Sequence, residues 1–262
     1  MGTFAQVSID TSGPLGAWFP ALIFGAVLVA LVGGLVLRWR QRKARDELAA
    51  TEGWEPVDRS WVRAHVLPRL PRSGGAFGER VTWAVKCPGA DGDPDVVLVD
   101  YQYKTRSRSR GRDGRSRSST KTHRRSAAVL HNPTPLPAMS IKRSGIFGRV
   151  LSAVGARGLE VESADFNRAF RVTAKNHRVA VAVLSAETQA RLLELEPDAL
   201  HVQHGWVLSV DTKRAKPDRY PQLRDCTLTI VHGIPGWVVE ELTTDDSAPD
   251  WALEEEDEEA AV

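Results

Sequence analysis

Of the 262 residues only two are cysteines, Cys87 and Cys226. Neither lies in a C-x-x-C, and no H-E-x-x-H occurs, so nothing in the spacing points to a metal site. His201 and His204 stand three apart. On a strand and its turn they would face opposite ways, which removes them as a ligand pair. No P-loop, G-x-G-x-x-G or G-x-S-x-G is present, so no cofactor is expected and no catalytic residue is named. In a reducing compartment the two thiols read as free and packed like small apolar groups, with a single disulfide as the alternative.

Charge is missing from one long stretch. Residues 18–37, WFPALIFGAVLVALVGGLVL, hold no ionisable side chain. About 20 such residues cross a hydrocarbon core as a helix, whose backbone groups bond internally. Pro20 falls in the first turn, where its missing N–H costs little. Trp18 and Trp39 sit at the two ends, where indoles favour the interface. A basic leader region is lacking, which argues against a cleaved signal peptide. Arg38, Arg40, Arg42, Lys43 and Arg45 follow the span, whereas only Asp10 and the terminal amine precede it. The positive-inside rule then predicts a cell-membrane protein, single-pass, with its N-terminus outside and its C-terminal domain cytoplasmic. Gly25, Gly33 and Gly34 form no G-x-x-x-G pair, so no dimerisation face is read and the oligomeric state stays open.

The expected organisation is a short extracytoplasmic N-terminus (1–17), a transmembrane helix (18–39), a juxtamembrane basic helix (40–53), a cytoplasmic domain (54–243) and a disordered acidic tail (244–262). Within the domain, a helical turn is expected around 58–66. Alternation predicts a strand at 80–87, where Val81, Trp83 and Val85 share a face. VVLVDYQYKT at 96–105 is rich in β-branched and aromatic residues and predicts a second strand. Residues 122–131 and 137–142 read as a third and fourth, giving a meander of antiparallel hairpins. A short helix is expected at 146–156, with strands at 159–162 and 169–174. The run 179–184 fits strand or helix equally. Ser185 caps a helix over 186–195, and 199–203 with 206–211 form a hairpin around His204-Gly205. Residues 225–231 alternate like a strand, yet Leu223, Cys226, Ile230 and Ile234 recur at helical steps, and a helix over 221–232 is favoured. The fold class is α+β: one N-terminal transmembrane helix, then a mainly antiparallel sheet domain with packed helices.

Acid is almost absent from residues 104–125, KTRSRSRGRDGRSRSSTKTHRR, where Asp113 stands alone. Arg106, Arg108, Arg110, Arg112, Arg115 and Arg117 alternate with serine and glycine. With Gly111 and Gly114 expected to prevent regular structure, the segment reads as a mobile cationic loop between two strands. Such a loop can contact anionic lipid head groups, bind nucleic acid, pair with the acidic run 254–259, or be a tolerated insertion kept soluble by its charge. It holds no aromatic residue to stack on bases, which disfavours nucleic acid. Phosphorylation of its serines, Thr120 or Thr122 would cancel charge.

Asp165, Asn167, Arg168 and Arg171 form a polar cluster that is either ligand-facing or structural. In the structural version Asp165 starts a turn, Phe166 and Phe170 fill the core, and Arg168 pairs with an acid. Asp100, Tyr101 and Tyr103 read as structural strand residues.

The runs VESADFNRAFRV (161–172), THR (122–124), GWVLSV (205–210) and HGIPGWV (232–238) resemble an uncharacterised family of bacterial, largely actinobacterial, membrane-anchored proteins. The resemblance spans roughly 50–240, and Asp165-Phe166-Asn167-Arg168 is its most specific piece. It implies the anchored α+β architecture and brings no activity, cofactor or catalytic residue. The function read from the residues is a non-enzymatic, membrane-tethered interaction module. Its partners would be the bilayer itself, anionic lipid head groups or a protein. The alternative is an enzyme whose site is assembled from scattered residues.

Overall fold

The computed structural model describes residues 14–89, 92–110, 116–144, 158–203 and 205–244. Contacts divide the chain into two units, one ending at Leu48 and one beginning at Ala49.

The first unit is helical. Helix α1, Pro14–Thr51, runs without a break from the apolar run into the basic segment behind it. Ile23, Phe24, Val27, Leu28, Leu31 and Leu35 are all exposed along it. It is long and apolar enough, by length and composition, to cross a membrane.

The second unit is built on one antiparallel sheet of eight strands. In chain order these are β1 (Glu55–Pro56), β2 (Phe77–Cys87), β3 (Val96–Arg110), β4 (Ser116–His131), β5 (Met139–Arg143), β6 (Phe170–Ala174), β7 (Ala199–Gln203) and β8 (Trp206–Asp211). Their spatial order is β1-β2-β3-β4-β8-β7-β5-β6. The meander expected from the sequence therefore stops at β4. The β7–β8 hairpin inserts beside it, and β5 pairs with β6 and β7 instead. Gly205, at φ +72° in the turn of that hairpin, supplies the left-handed backbone such a turn needs.

One sheet face carries helices α3 (Ala164–Ala169), α4 (His177–Val183), α5 (Ala186–Leu195), α6 (Arg219–His232) and α7 (Gly236–Thr244). Their apolar residues meet Ile141, Val172, Leu200, Val202 and Val207 in one core. The opposite face packs Val99, Tyr101, Tyr103, Ala127, Val129 and Leu208 against α2 (Arg59–His65) and the 3-10 turn Leu67–Arg69. Cover on both sides explains why Val96–Val99 reads as a continuous apolar run rather than an alternating one.

Local chemistry sets the helix starts. Asp58, Ser163, Asn176 and Ser185 each accept a backbone N–H from the first turn of the helix that follows. Capping decides the ambiguous run 179–184 as helix α4, because Asn176 holds the N–H of Val179 at 3.2 Å. The favoured helix at 221–232 is α6, with Leu223, Cys226 and Ile230 buried along one side. Residues 159–162, expected as a strand, make one isolated bridge, Leu159 to Val172, before Ser163 starts α3. The short helix expected at 146–156 and the acidic tail beyond Thr244 lie outside the described residues.

Candidate functional site

The arginine-serine segment is a paired ribbon over its described length. β3 and β4 stay in register from Val97↔Val129 out to Arg110↔Ser116. β2 leaves β3 at Phe77↔Lys104, and β8 meets β4 no further out than Ser126↔Asp211. Beyond those rungs the two strands run on by themselves as an arm. Six rungs at about 3.4 Å per residue make roughly 20 Å of exposed ribbon. The expectation of irregular structure through 104–125 fails because the R-S-R-S alternation is itself a period-two pattern. Gly111 and Gly114 stand between the two strands in sequence and lie outside the described residues.

Pairing also sorts the charges. Directly opposed residues share a face, and the opposed pairs are Lys104↔Thr122, Arg106↔Thr120, Arg108↔Ser118, Thr105↔Lys121 and Ser109↔Arg117. Every one of these cations therefore faces a hydroxyl. Like charges directly opposite would push the strands apart, and this register avoids them. It also separates the sequence-predicted residues. Arg106 and Arg108 stand on one face and Arg117 on the other, while Arg110 lies on β3 opposite Ser116. Arg112 and Arg115 lie outside the described residues.

The two faces of the arm differ at their roots. On the face of Arg117 and Lys121, Tyr103 stacks on His123 with ring centroids 4.8 Å apart. His123 also shares a hydrogen bond with Thr105 Oγ1 at 2.9 Å. Arg125 lies over the Tyr103 ring and donates to the carbonyl of Pro71. On the face of Arg106 and Arg108, Phe77 is 41 % exposed and the guanidinium of Arg106 lies 6.0 Å from its ring centroid. Arg80 and Arg124 continue that face inward, on either side of Gln102. Gly78, at φ +62°, forms the irregularity between the Phe77 and Arg80 pairings, and its Cα side lies against the Lys104 stem.

Below the arm a buried carboxylate ties sheet to helix. Asp100, 1 % exposed, accepts from the Ser126 hydroxyl and from Tyr220 Oη at 2.8 Å. Arg214 reaches its other oxygen through Nε at 2.9 Å and a terminal nitrogen at 2.8 Å. Ser126 Oγ in turn accepts the N–H of Ala215. A carboxylate held by four donors is a structural node. It anchors the 212–218 loop, with Lys213 and Lys216, at the foot of the Arg106 face. Arg219 makes a second node, donating to Leu195 O, Glu196 O and Asp211.

The Asp165–Arg168 run is structural. Phe166 and Phe170 are buried with ring centroids 5.0 Å apart. Asn167 both donates to and accepts from the Val161 backbone, at 2.7 and 3.0 Å. Asp165 and Arg168 pair on the surface at 2.8 Å. Arg171 lies on β6 across from Lys142, apart from that pair.

Both cysteines are free and buried, and burial pushes each thiol up to about 12. His201, half-buried on β7, is pushed down to about 4 by burial and by the nearby Lys142 and Arg125. Among the described residues no cluster of histidine, cysteine or carboxylate has the geometry to hold a metal ion. A recess lined by Leu136, Met139, Asn176, Val179, Val183 and Val202 is shallow and apolar.

No family model matches the chain, and no curated protein does. The resemblance over residues 50–240 therefore stays one of motifs and element order. Among solved structures, the crystal structure of the mycobacterial trehalose monomycolate transport factor A, TtfA, is similar at a TM-score of 0.43 and 9 % identity. The match covers 74 % of this chain and 95 % of that one.

Proposed function

We propose that the protein is a non-enzymatic interaction module, tethered to a membrane by α1, whose β-arm contacts anionic lipid head groups. The observation that carries this reading is the arm itself. It is a registered ribbon projecting beyond the sheet, cationic on both faces, with a hydroxyl opposite each paired cation. Guanidinium and ammonium groups beside hydroxyl donors suit phosphate oxygens. Near an anionic leaflet each basic residue contributes on the order of 1 kcal/mol, within a Debye length of the surface. Lys104, Arg106, Arg108 and Arg124 on one face are together worth several kcal/mol, and Arg117 and Lys121 on the other about 2 kcal/mol.

The sequence around α1 supports the topology. The span is 18–39 with residues 1–17 outside, and the basic helix 40–53, the domain 54–243 and the tail 244–262 lie on the cytoplasmic side, the side the positive flank favours.

The test uses full-length protein in nanodiscs of phosphatidylcholine, alone or with phosphatidylglycerol. Trypsin cleavage after Arg106, Arg108, Arg117 and Lys121 is followed by mass spectrometry. Cleavage should slow several-fold on anionic discs. The difference should vanish at roughly 1 M salt, where the Debye length is about 3 Å. Equal cleavage on both lipids at low salt sinks the lipid contact and turns the search to a protein partner.

A further inference from the structure

The arm has two cationic faces, and a flat bilayer can meet only one of them squarely. We propose that it docks through the face bearing Phe77, Arg80, Lys104, Arg106, Arg108 and Arg124, with the Phe77 ring entering the head-group region of an anionic bilayer. This rests on the lipid-contact reading above and adds the docking face and its aromatic anchor.

Three observations favour this face. The first is the aromatic ring. Tyr103, on the opposite face, is fully buried between its neighbours, whereas Phe77 is 41 % exposed. Its residue pairs with Lys104 and its ring lies near Arg106. An exposed apolar ring set among cations is the composition of an interfacial contact, where ring burial adds to electrostatic attraction.

The second is the availability of the charges. On the opposite face Arg125 is turned inward to the Pro71 carbonyl and the Tyr103 ring, Tyr103 stacks on His123, and His123 shares a hydrogen bond with Thr105. Arg117 and Lys121 remain as that face's outward cations on the described arm. On the docking face Arg80, Lys104, Arg106, Arg108 and Arg124 are all exposed, with the Arg80 guanidinium beside the side-chain amide of Gln102.

The third is the surround. The loop held by Asp100 and Ser126 brings Lys213 and Lys216, with Asp218, to the foot of the docking face. At the foot of the opposite face stands the α2 side, where Arg72 is already paired with Glu79 at 2.6 Å.

The register supplies a direct test. Ser119 and Thr120 are neighbours in sequence but face opposite ways, Thr120 across from Arg106 and Ser119 across from Ser107. Cys87 and Cys226 are buried with thiols pushed up to about 12, so a cysteine introduced on the arm is labelled selectively. Full-length Ser119→Cys and Thr120→Cys are labelled with an environment-sensitive fluorophore and placed in nanodiscs with and without phosphatidylglycerol. A blue shift on anionic discs is expected at position 120 and not at 119. It should weaken when Phe77→Ala is added to the Thr120→Cys chain. Equal shifts at both positions, or a shift at 119 alone, overturn the face assignment while leaving the lipid contact standing. No shift at either position overturns both. A shift at 120 that is untouched by Phe77→Ala overturns the anchor role of the ring.

Discussion

Tyr220 Oη donates to Asp100 Oδ1 at 2.8 Å, joining two residues 120 positions apart in sequence. This bond, with those from Ser126 and Arg214, fixes α6 over the root of the arm. Asp100→Asn should keep the shape, lose the charge that Arg214 meets, and lower stability by about 3 kcal/mol. Chemical denaturation of the detergent-solubilised chain reads this. Tyr220→Phe should cost about 1–2 kcal/mol, because the bond that its hydroxyl donates to Asp100 is lost while the ring still packs on Trp83.

The register of the arm predicts which substitutions it tolerates. Ser118→Arg places a second guanidinium directly opposite Arg108 and should loosen the ribbon by a few tenths to about 1 kcal/mol. Ser118→Thr should leave it unchanged. Amide hydrogen exchange over 105–110 distinguishes the two, faster in the first variant and equal to the parent in the second.

His201 gives a pH dependence whose sign follows from its shift. Its ordinary value of 6.5 is lowered to about 4 by burial, Lys142 and Arg125. Between those values the folded chain binds fewer protons than the unfolded one, so stability falls as pH drops through the window. Acid titration of thermal stability should show this loss between about pH 6.5 and 4. His201→Gln should flatten it. The imidazole signal of His201 in NMR should titrate near 4.

The cysteines should be inert in the folded protein. With thiols pushed up to about 12, almost no thiolate exists at pH 8, and both side chains are buried. A thiol reagent such as Ellman's should react with neither in the native chain and with both after denaturation.

Much of the fold is legible locally. The strands at Arg80–Cys87 and Val96–Thr105 announce themselves by alternation and by β-branched and aromatic content. Ser185 marks the start of α5 correctly, and the helical spacing of Leu223, Cys226 and Ile230 outweighs the alternation of 225–231. The sheet order was not legible, since nothing in residues 132–138 says that a hairpin seventy residues later will lie beside β4. Helix α3 was missed because six residues hold less than two turns. Its clue is the pair Phe166 and Phe170, four apart and both buried.

The candidate site was half legible. Charge composition marks it, and the period-two pattern of Arg106 to Ser109 marks the strand that the glycine content of 104–125 obscures. Alternation on both sides of 111–114 is the signal for the paired strands, and their pairing sorts Arg106 and Arg117 to opposite faces. Asp100 also carried a signal. A lone carboxylate inside VVLVDYQY needs buried donors, though which ones, Tyr220 and Arg214, depends on tertiary contacts no local pattern encodes.

The central claim is that the arm lies against anionic lipid, and the most direct measurement is amide hydrogen exchange of the full-length protein in nanodiscs, read over 105–110 and 116–122. Contact with the bilayer predicts slower exchange in these two segments when phosphatidylglycerol is present. The protection should be lost at high salt, with no change in β5 or β7. Identical exchange of the arm on neutral and anionic discs would contradict it.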